Sequence, residues 1–319
     1  MDLRTWLESN EVSLARSCPV DELEAREPRL GEMLLTFLPK AKSIVITALS
    51  YCCEKPRLEP SPSFRGTIAP YTWANFYRIL HKSLKRLAKS LPGRSRISVN
   101  GLLPEKEIAL AMGIGGRGLN SLVLTEDFGS LVVLGVLLSE AEVPKTKVLV
   151  IGGRSRKADD GSPCLNCRAC IDACPSQALG HRASLNEELC IQALCSRAVE
   201  LPKQVVEVWG NRFYGCSSCQ DACPLNRFVP RKSKIPAQGR VGASMELLPI
   251  LSMDEGQYRQ SVSGNQISAR WVDFLALQRN AYLALRNQSQ ALAKETMLGL
   301  PQLKEKISEL IPEEEITSS

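Results

Sequence analysis

The sequence predicts an α+β protein in three parts, on three observations. Apolar, β-branched segments alternate with stretches of helical period up to residue 155, the pattern of a layered α/β domain. Nine of the twelve cysteines then fall between Cys164 and Cys223. Past a polar linker the pattern turns helical. The expected parts are residues 1–155, α/β-layered, residues 156–235, cysteine-rich, and residues 236–319, a short helical region.

The elements follow in chain order. Residues 1–40 carry mixed charge and read as helix, with a turn at Leu38-Pro39. Ser43 to Ser50 (SIVITALS) is apolar and β-branched, hence a buried strand. Glu54 to Gly66, with Pro56, Pro60 and Pro62, reads as a loop. Tyr71 to Leu91 reads as an amphipathic helix, because Leu80, Leu84, Leu87 and Leu91 recur at spacings of four, three and four. A second helical stretch, Glu105 to Met112, leads into the Gly-rich segment Gly113 to Gly118. Ser121–Thr125, Leu131–Leu138 and Lys147–Ile151 read as strands, and Gly152 to Pro163 as a loop. After the linker Lys232 to Ala243, Asn265–Asn287 and Gln288–Ile311 have helical period, and the tail Pro312–Ser319 frays.

Composition narrows the function. The chain is 44% hydrophobic and 23% charged, which excludes a disordered tail. Aromatics at 5% are few for a nucleic-acid stacking surface or an all-β sandwich. A net charge of +6 permits an anionic partner without requiring one. Two histidines exclude most His-built metal sites. No secretory pattern opens the sequence. Its most apolar run, Leu131–Leu138, is far shorter than the ~20 residues of a membrane helix. The expectation is a cytoplasmic monomer with no membrane attachment, in which cysteines serve metal or redox chemistry.

The cysteine spacing names that chemistry. Cys164-x2-Cys167-x2-Cys170-x3-Cys174-Pro175 has the spacing of bacterial ferredoxins, whose fourth cysteine ligates the other of two clusters. Cys216-x2-Cys219-x3-Cys223-Pro224 echoes it, with Cys190 upstream. A tight loop presents three thiolates to a cubane, and the proline turns the last cysteine across to the neighbouring cluster. The pairing that follows puts Cys164, Cys167, Cys170 and Cys223 on one [4Fe–4S] cluster. The second takes Cys174, Cys190, Cys216 and Cys219. A zinc ribbon also uses Cys-x2-Cys pairs, but it does not account for both runs ending in Cys-Pro. The part at 156–235 is therefore expected to be ferredoxin-like, with two [4Fe–4S] clusters. Of the four remaining thiols, Cys18 is expected to be buried in a helix and Cys195 in the cluster domain. Cys52 and Cys53 follow a strand and read as buried or as pocket residues.

The sequence resembles the epoxyqueuosine reductases, corrinoid iron–sulfur enzymes of tRNA modification related to reductive dehalogenases. Gly210-Asn-Arg-Phe-Tyr-Gly-Cys-Ser-Ser-Cys-Gln-Asp-Ala-Cys-Pro-Leu-Asn-Arg-Phe228 looks like the family's second cluster motif. Leu38–Val45, Gly113–Ser121, Asp127–Ser130 and Leu277–Asn287 look like further family segments, so the likeness spans most of residues 35–290. It implies a corrinoid-binding-like N-terminal domain and electrons passed through two clusters to a cobalamin. It also implies a low-potential donor such as a ferredoxin or flavodoxin, and epoxyqueuosine in tRNA or a related substrate. The family's proton-donating Asp lies in a Val-Asp-Ser/Gly-x-Pro-x-x-Glu stretch. Here Val99-Asn100-Gly101-Leu-Leu-Pro104-Glu105 stands in its place, and Asn100 holds the catalytic position. Its Asp-Tyr-His becomes Phe76-Tyr77-Arg78. A ferredoxin-like electron-transfer protein with a degenerate catalytic domain is the alternative.

Gly113, Gly115, Gly116 and Gly118 follow a helical stretch rather than a strand, so close approach to a large cofactor suits them better than a dinucleotide fingerprint. Tyr71 and Tyr77 are candidate pocket phenols, while His81 and His181 read as surface histidines. Residues 78–96 hold seven Lys/Arg and no acid, and Arg227, Arg231, Lys232 and Lys234 form a second such group. Both read as solvated faces or as phosphate-binding surfaces.

Overall fold

A computed structural model describes residues 2–55, 63–151 and 163–312 of the chain. Most of the loops expected at Glu54–Gly66 and Gly152–Pro163, and the tail from residue 313, lie outside them. The fold is mixed α/β and divides into two compact units, each assembled from separate stretches. The first comprises Met1–Cys52, Phe76–Cys167 and Cys223–Arg231, and the second Cys53–Asn75, Arg168–Ala222 and Lys232–Ser319.

The first unit is built on a five-stranded sheet. Its order is Ser95–Ser98, Val132–Ser139, Ser43–Ser50, Leu14–Pro19, Leu149–Val150, with every neighbouring pair antiparallel. Ser43–Ser50 has the bounds expected and is buried at every position, as a strand covered on both faces must be. Ile44, Ile46 and Ala48 share a core with Leu23, Leu34, Ile108 and Met112. The helix Phe76–Ser90 lies on the opposite face. It buries Leu80, Leu84 and Leu87 as its period predicts, while Leu91 falls just beyond it, half-buried. Gly135 makes this packing possible. A Cβ there would sit 2.9 Å from Leu84 Cδ1 and 3.0 Å from Leu80 Cδ2.

The second unit holds a three-stranded sheet of order Ser244–Glu246, Arg65–Ile68, Arg212–Tyr214, antiparallel then parallel. The helix Phe274–Gln288 packs on two of its strands and on the helices Leu247–Ser252 and Gln290–Leu298. It is buried from Arg279 through Leu285. No helix among the described residues is long and apolar enough to cross a membrane.

Four expectations are corrected. The helix expected across residues 1–40 is interrupted by the strand Leu14–Pro19, which hydrogen-bonds to neighbours on both edges, so Cys18 lies in a strand. Non-local pairing overrides the mixed local pattern there. Ser95–Ser98 and Ser244–Glu246 are strands that had no alternation long enough to read. The helix expected from Asn265 begins at Phe274. The Asn265 side chain accepts from Ile267 N at 3.0 Å and donates to Thr72 O at 2.8 Å, a local bond that competes with helix. The helix expected over Gln288–Ile311 is two, Gln290–Leu298 and Pro301–Ser308, broken at the proline.

Replacing Gly135 with Val forces Leu80 and Leu84 off the sheet. The expected cost is about 1–3 kcal/mol of unfolding free energy, read as a lower urea midpoint with an unchanged slope.

Candidate functional site

The second unit gathers a set of thiols on very short helices. Ala169–Asp172 ends just before Cys174, and Cys190 is the N-cap of Ile191–Leu194. Cys219 lies in Ser218–Asp221, which packs against Ala169–Asp172. All twelve cysteines of the chain are free of disulfides. Burial, followed by the nearness of Cys216, Cys190, Cys170 and Cys174, pushes the Cys219 thiol up to about 12. Burial raises Cys190 as well. The backbone N–H groups of Ala193 and Gln192 oppose that rise, and Cys216 and Cys174 add to it. Cys219 thus lies within electrostatic range of Cys174, Cys190 and Cys216, and also of Cys170, which the sequence assigns to the other cluster. In the first unit, Cys223 is raised by burial and senses Cys167 and Cys164. The N–H groups of Leu225 and Asn226 oppose that shift.

Around the second set, polar side chains not singled out in the sequence fix the ligand segments. Gln192 Oε1 accepts from Cys216 N at 3.1 Å, and Gln192 Nε2 donates to Tyr71 OH at 2.6 Å. Gly215, just before Cys216, has φ +78, and a Cβ there would meet Ala69 Cβ at 2.6 Å. Asn280 Nδ2 donates to Cys195 O at 2.7 Å and to Phe213 O at 3.0 Å. One amide therefore ties the Cys190 segment to the strand leading into Cys216. Cys195 is 1% exposed, donates to Gln192 O at 3.2 Å and is pushed up to about 12, chiefly by burial. It packs beside the site, as expected. Cys18, Cys52 and Cys53 are also buried.

Asn100 occupies an exposed turn of the first unit with φ 52. Glu105 holds that turn, its Oε1 accepting from Ser98 Oγ at 2.6 Å and Gly101 N at 3.0 Å. Tyr77 lies within electrostatic range of Glu105. Burial, with Glu105 adding, pushes its phenol up to about 12, yet the residue keeps partial access to solvent. Asp127 is raised by burial and by Glu126, and its Oδ1 is buried with no hydrogen-bond partner among the described residues. Tyr71 belongs to the second unit and Tyr77 to the first.

The glycines are placed differently from expectation. A Cβ on Gly115 would sit 2.4 Å from Leu124 O, and one on Gly118 2.5 Å from Asn120 Oδ1. Gly113, at φ +63, faces Arg16 Nη1, and Gly116 lies in the strand pair Gly116–Arg117 with Val123–Leu124. The chain itself takes up the close approach at Gly115 and Gly118. His81 is half-buried and lowered by burial and then by Lys85, while His181 is exposed with Nδ1 3.0 Å from Arg168 Nη1. Lys82, Lys85, Arg86 and Lys89 are exposed opposite the leucine stripe, as are Arg227, Arg231 and Lys234 elsewhere.

Residues 163–226 match the 4Fe-4S double cluster binding domain. An epoxyqueuosine reductase of Bacillus subtilis (strain 168) is 30% identical over 301 residues, covering 88% of this chain and 69% of that protein. This chain belongs to the epoxyqueuosine reductase family. A Bacillus cereus epoxyqueuosine reductase is 28% identical over 319 residues, covering 91% of this chain and 80% of that family member. A crystal structure of selenomethionine-labelled epoxyqueuosine reductase superposes with TM-score 0.76 at 26% identity, covering 95% of this chain and 87% of that one. Another family structure, with an epoxyqueuosine-modified tRNA stem loop, gives TM-score 0.76 at 25% identity and covers 95% and 86%. Like its relatives, the chain is an iron–sulfur oxidoreductase.

Replacing Cys190 or Cys216 with Ser is expected to halve the iron of anaerobically reconstituted protein, from about eight to about four per chain. Iron quantitation checks it, with Cys18→Ser as the control that keeps the full count.

Proposed function

We propose that this chain reduces the epoxide of epoxyqueuosine in tRNA. Electrons from a low-potential ferredoxin or flavodoxin would pass through two [4Fe–4S] clusters to reach it. The observation that supports this reading is the gathering of Cys170, Cys174, Cys190, Cys216 and Cys219 within one unit of a member of this reductase family. Both cysteine runs end in Cys-Pro at the ferredoxin spacing, which a pair of clusters accounts for and mononuclear zinc does not. The partner set is Cys164, Cys167, Cys170 and Cys223. Exposed cations at Lys82, Lys85, Arg86 and Lys89 support an RNA phosphate surface, as does Phe228, 57% exposed beside Arg227. A tRNA substrate places the reaction in the cytoplasm, and one chain carries both cluster sites, so a monomer suffices.

The family resemblance extends to a cobalamin. The glycines assigned to it do not fit that role, because the chain fills the space at Gly115 and Gly118. Neither histidine has the setting of an axial ligand.

Removal of an epoxide oxygen as water consumes two electrons and two protons. Asn100 donates hydrogen bonds through its amide but has no acidic proton to give. We assign it the task of orienting substrate. In this reading Tyr77 gives one proton to the leaving oxygen, and solvent water supplies the second and reprotonates the phenolate. Tyr77 stays protonated across neutral and alkaline pH, because its raised value favours the neutral phenol until pH approaches 12. The absence of an acid at Asn100 also favours a second reading, a pure electron-transfer protein.

A single-turnover assay on epoxyqueuosine-containing tRNA with chemically reduced protein separates the two. The enzyme reading expects turnover that Tyr77→Phe slows about 10²–10⁴-fold and Asp127→Asn leaves near the parent rate. No turnover in the parent chain, with both clusters reduced, would establish the electron-transfer reading.

A further inference from the structure

Arg279 is fully buried, at 0% exposure, and every one of its donors is used. Nη1 donates to Arg197 O at 3.0 Å and Val199 O at 2.8 Å. Nη2 donates to Leu194 O at 2.9 Å and Asn280 Oδ1 at 3.0 Å, and Nε to Asn280 Oδ1 at 3.3 Å. The guanidinium lies 5.7 Å from the centre of the Trp209 ring. Among the described residues, none of these partners is a carboxylate and no acid makes an ion pair with it. Asp273, an acid within electrostatic range, spends Oδ2 on Ala198 N at 2.9 Å.

A buried cation with no ion pair leans on whatever negative charge lies near, because hydrogen bonds to neutral oxygens do not cancel its desolvation, and Asp273 supplies part of that charge without pairing with it. The backbone it grips names the source. Leu194, Arg197 and Val199 belong to the segment that follows Cys190. The Arg279 charge acts on the Cys195 thiol, which itself lies within electrostatic range of Cys190 and Cys216. A four-iron cluster on four thiolates is anionic and gains one more negative charge on reduction. Its potential depends on nearby charge and burial.

The geometry points to Arg279 as a buried counter-charge of the cluster held by Cys174, Cys190, Cys216 and Cys219, raising that cluster's potential. This rests on the cluster reading above. Arg279 touches neither substrate nor iron and is a positioning and tuning residue.

The test uses the full chain, reconstituted anaerobically, as wild type, Arg279→Gln and Arg279→Lys. Iron is counted, and each protein is then titrated potentiometrically with EPR detection. In Arg279→Gln one of two midpoints should fall, with the equilibrium constant for its reduction lowered about tenfold, ~59 mV for one electron. The other midpoint should stay, and Arg279→Lys should restore the first. Unchanged midpoints in Arg279→Gln overturn the inference, as does an equal fall in both variants. If Arg279→Gln loses its iron, Arg279→Lys decides: a wild-type midpoint supports the inference and a tenfold fall overturns it. A wild-type chain without two clusters removes the underlying cluster reading instead, and the iron count shows that first.

Discussion

The ligand-bearing helices of the second unit are four residues long, and a helix of one turn cannot hold itself in water. What surrounds them must therefore fix their thiols. Asn280 and Arg279 supply five of the hydrogen bonds that do so, all to main-chain oxygens between Leu194 and Phe213. Gln192 and Tyr71 complete the frame around Cys216. The helix Phe274–Gln288 is buried because it carries this frame, and the small sheet of the second unit gives it a floor.

The first unit obeys a different constraint. Its sheet is covered on both faces, so its central strands Ser43–Ser50 and Val132–Ser139 read as near-continuous apolar runs and the Phe76–Ser90 helix as amphipathic. The exposed turn at Asn100 and the half-buried Tyr77 both belong to this unit. Position 100 of this chain is an amide rather than an acid. Charge on the Phe76–Ser90 helix divides along the same lines: leucines inward, cations outward.

How much was legible depends on how local the determinant is. The cysteine spacing is local, and it named both cluster sets; the comparison with a double cluster binding domain agrees that two clusters are held. Ser43–Ser50 and Glu105–Ala111 carry their own periods and were read to within a residue. Leu14–Pro19 does not, since Arg16 and Ser17 interrupt its apolar run and pairing alone makes it a strand. Nothing local marks Arg279 and Asn280 as buried, because the carbonyls they serve are about eighty residues away. At Gly115 and Gly118 the crowding partners, Leu124 and Asn120, are close in sequence, and only the fold shows that they face these glycines.

The central claim is that one chain holds two four-iron clusters on interleaved cysteines, with Cys170 and Cys174 on different clusters four residues apart. Low-temperature EPR of the anaerobically reconstituted, fully reduced chain tests it most directly. The account predicts two reduced four-iron clusters whose spins interact. It also predicts that Cys190→Ser removes the interaction and leaves one isolated signal. A zinc-loaded, EPR-silent protein, or a single isolated cluster in the wild-type chain, would contradict it.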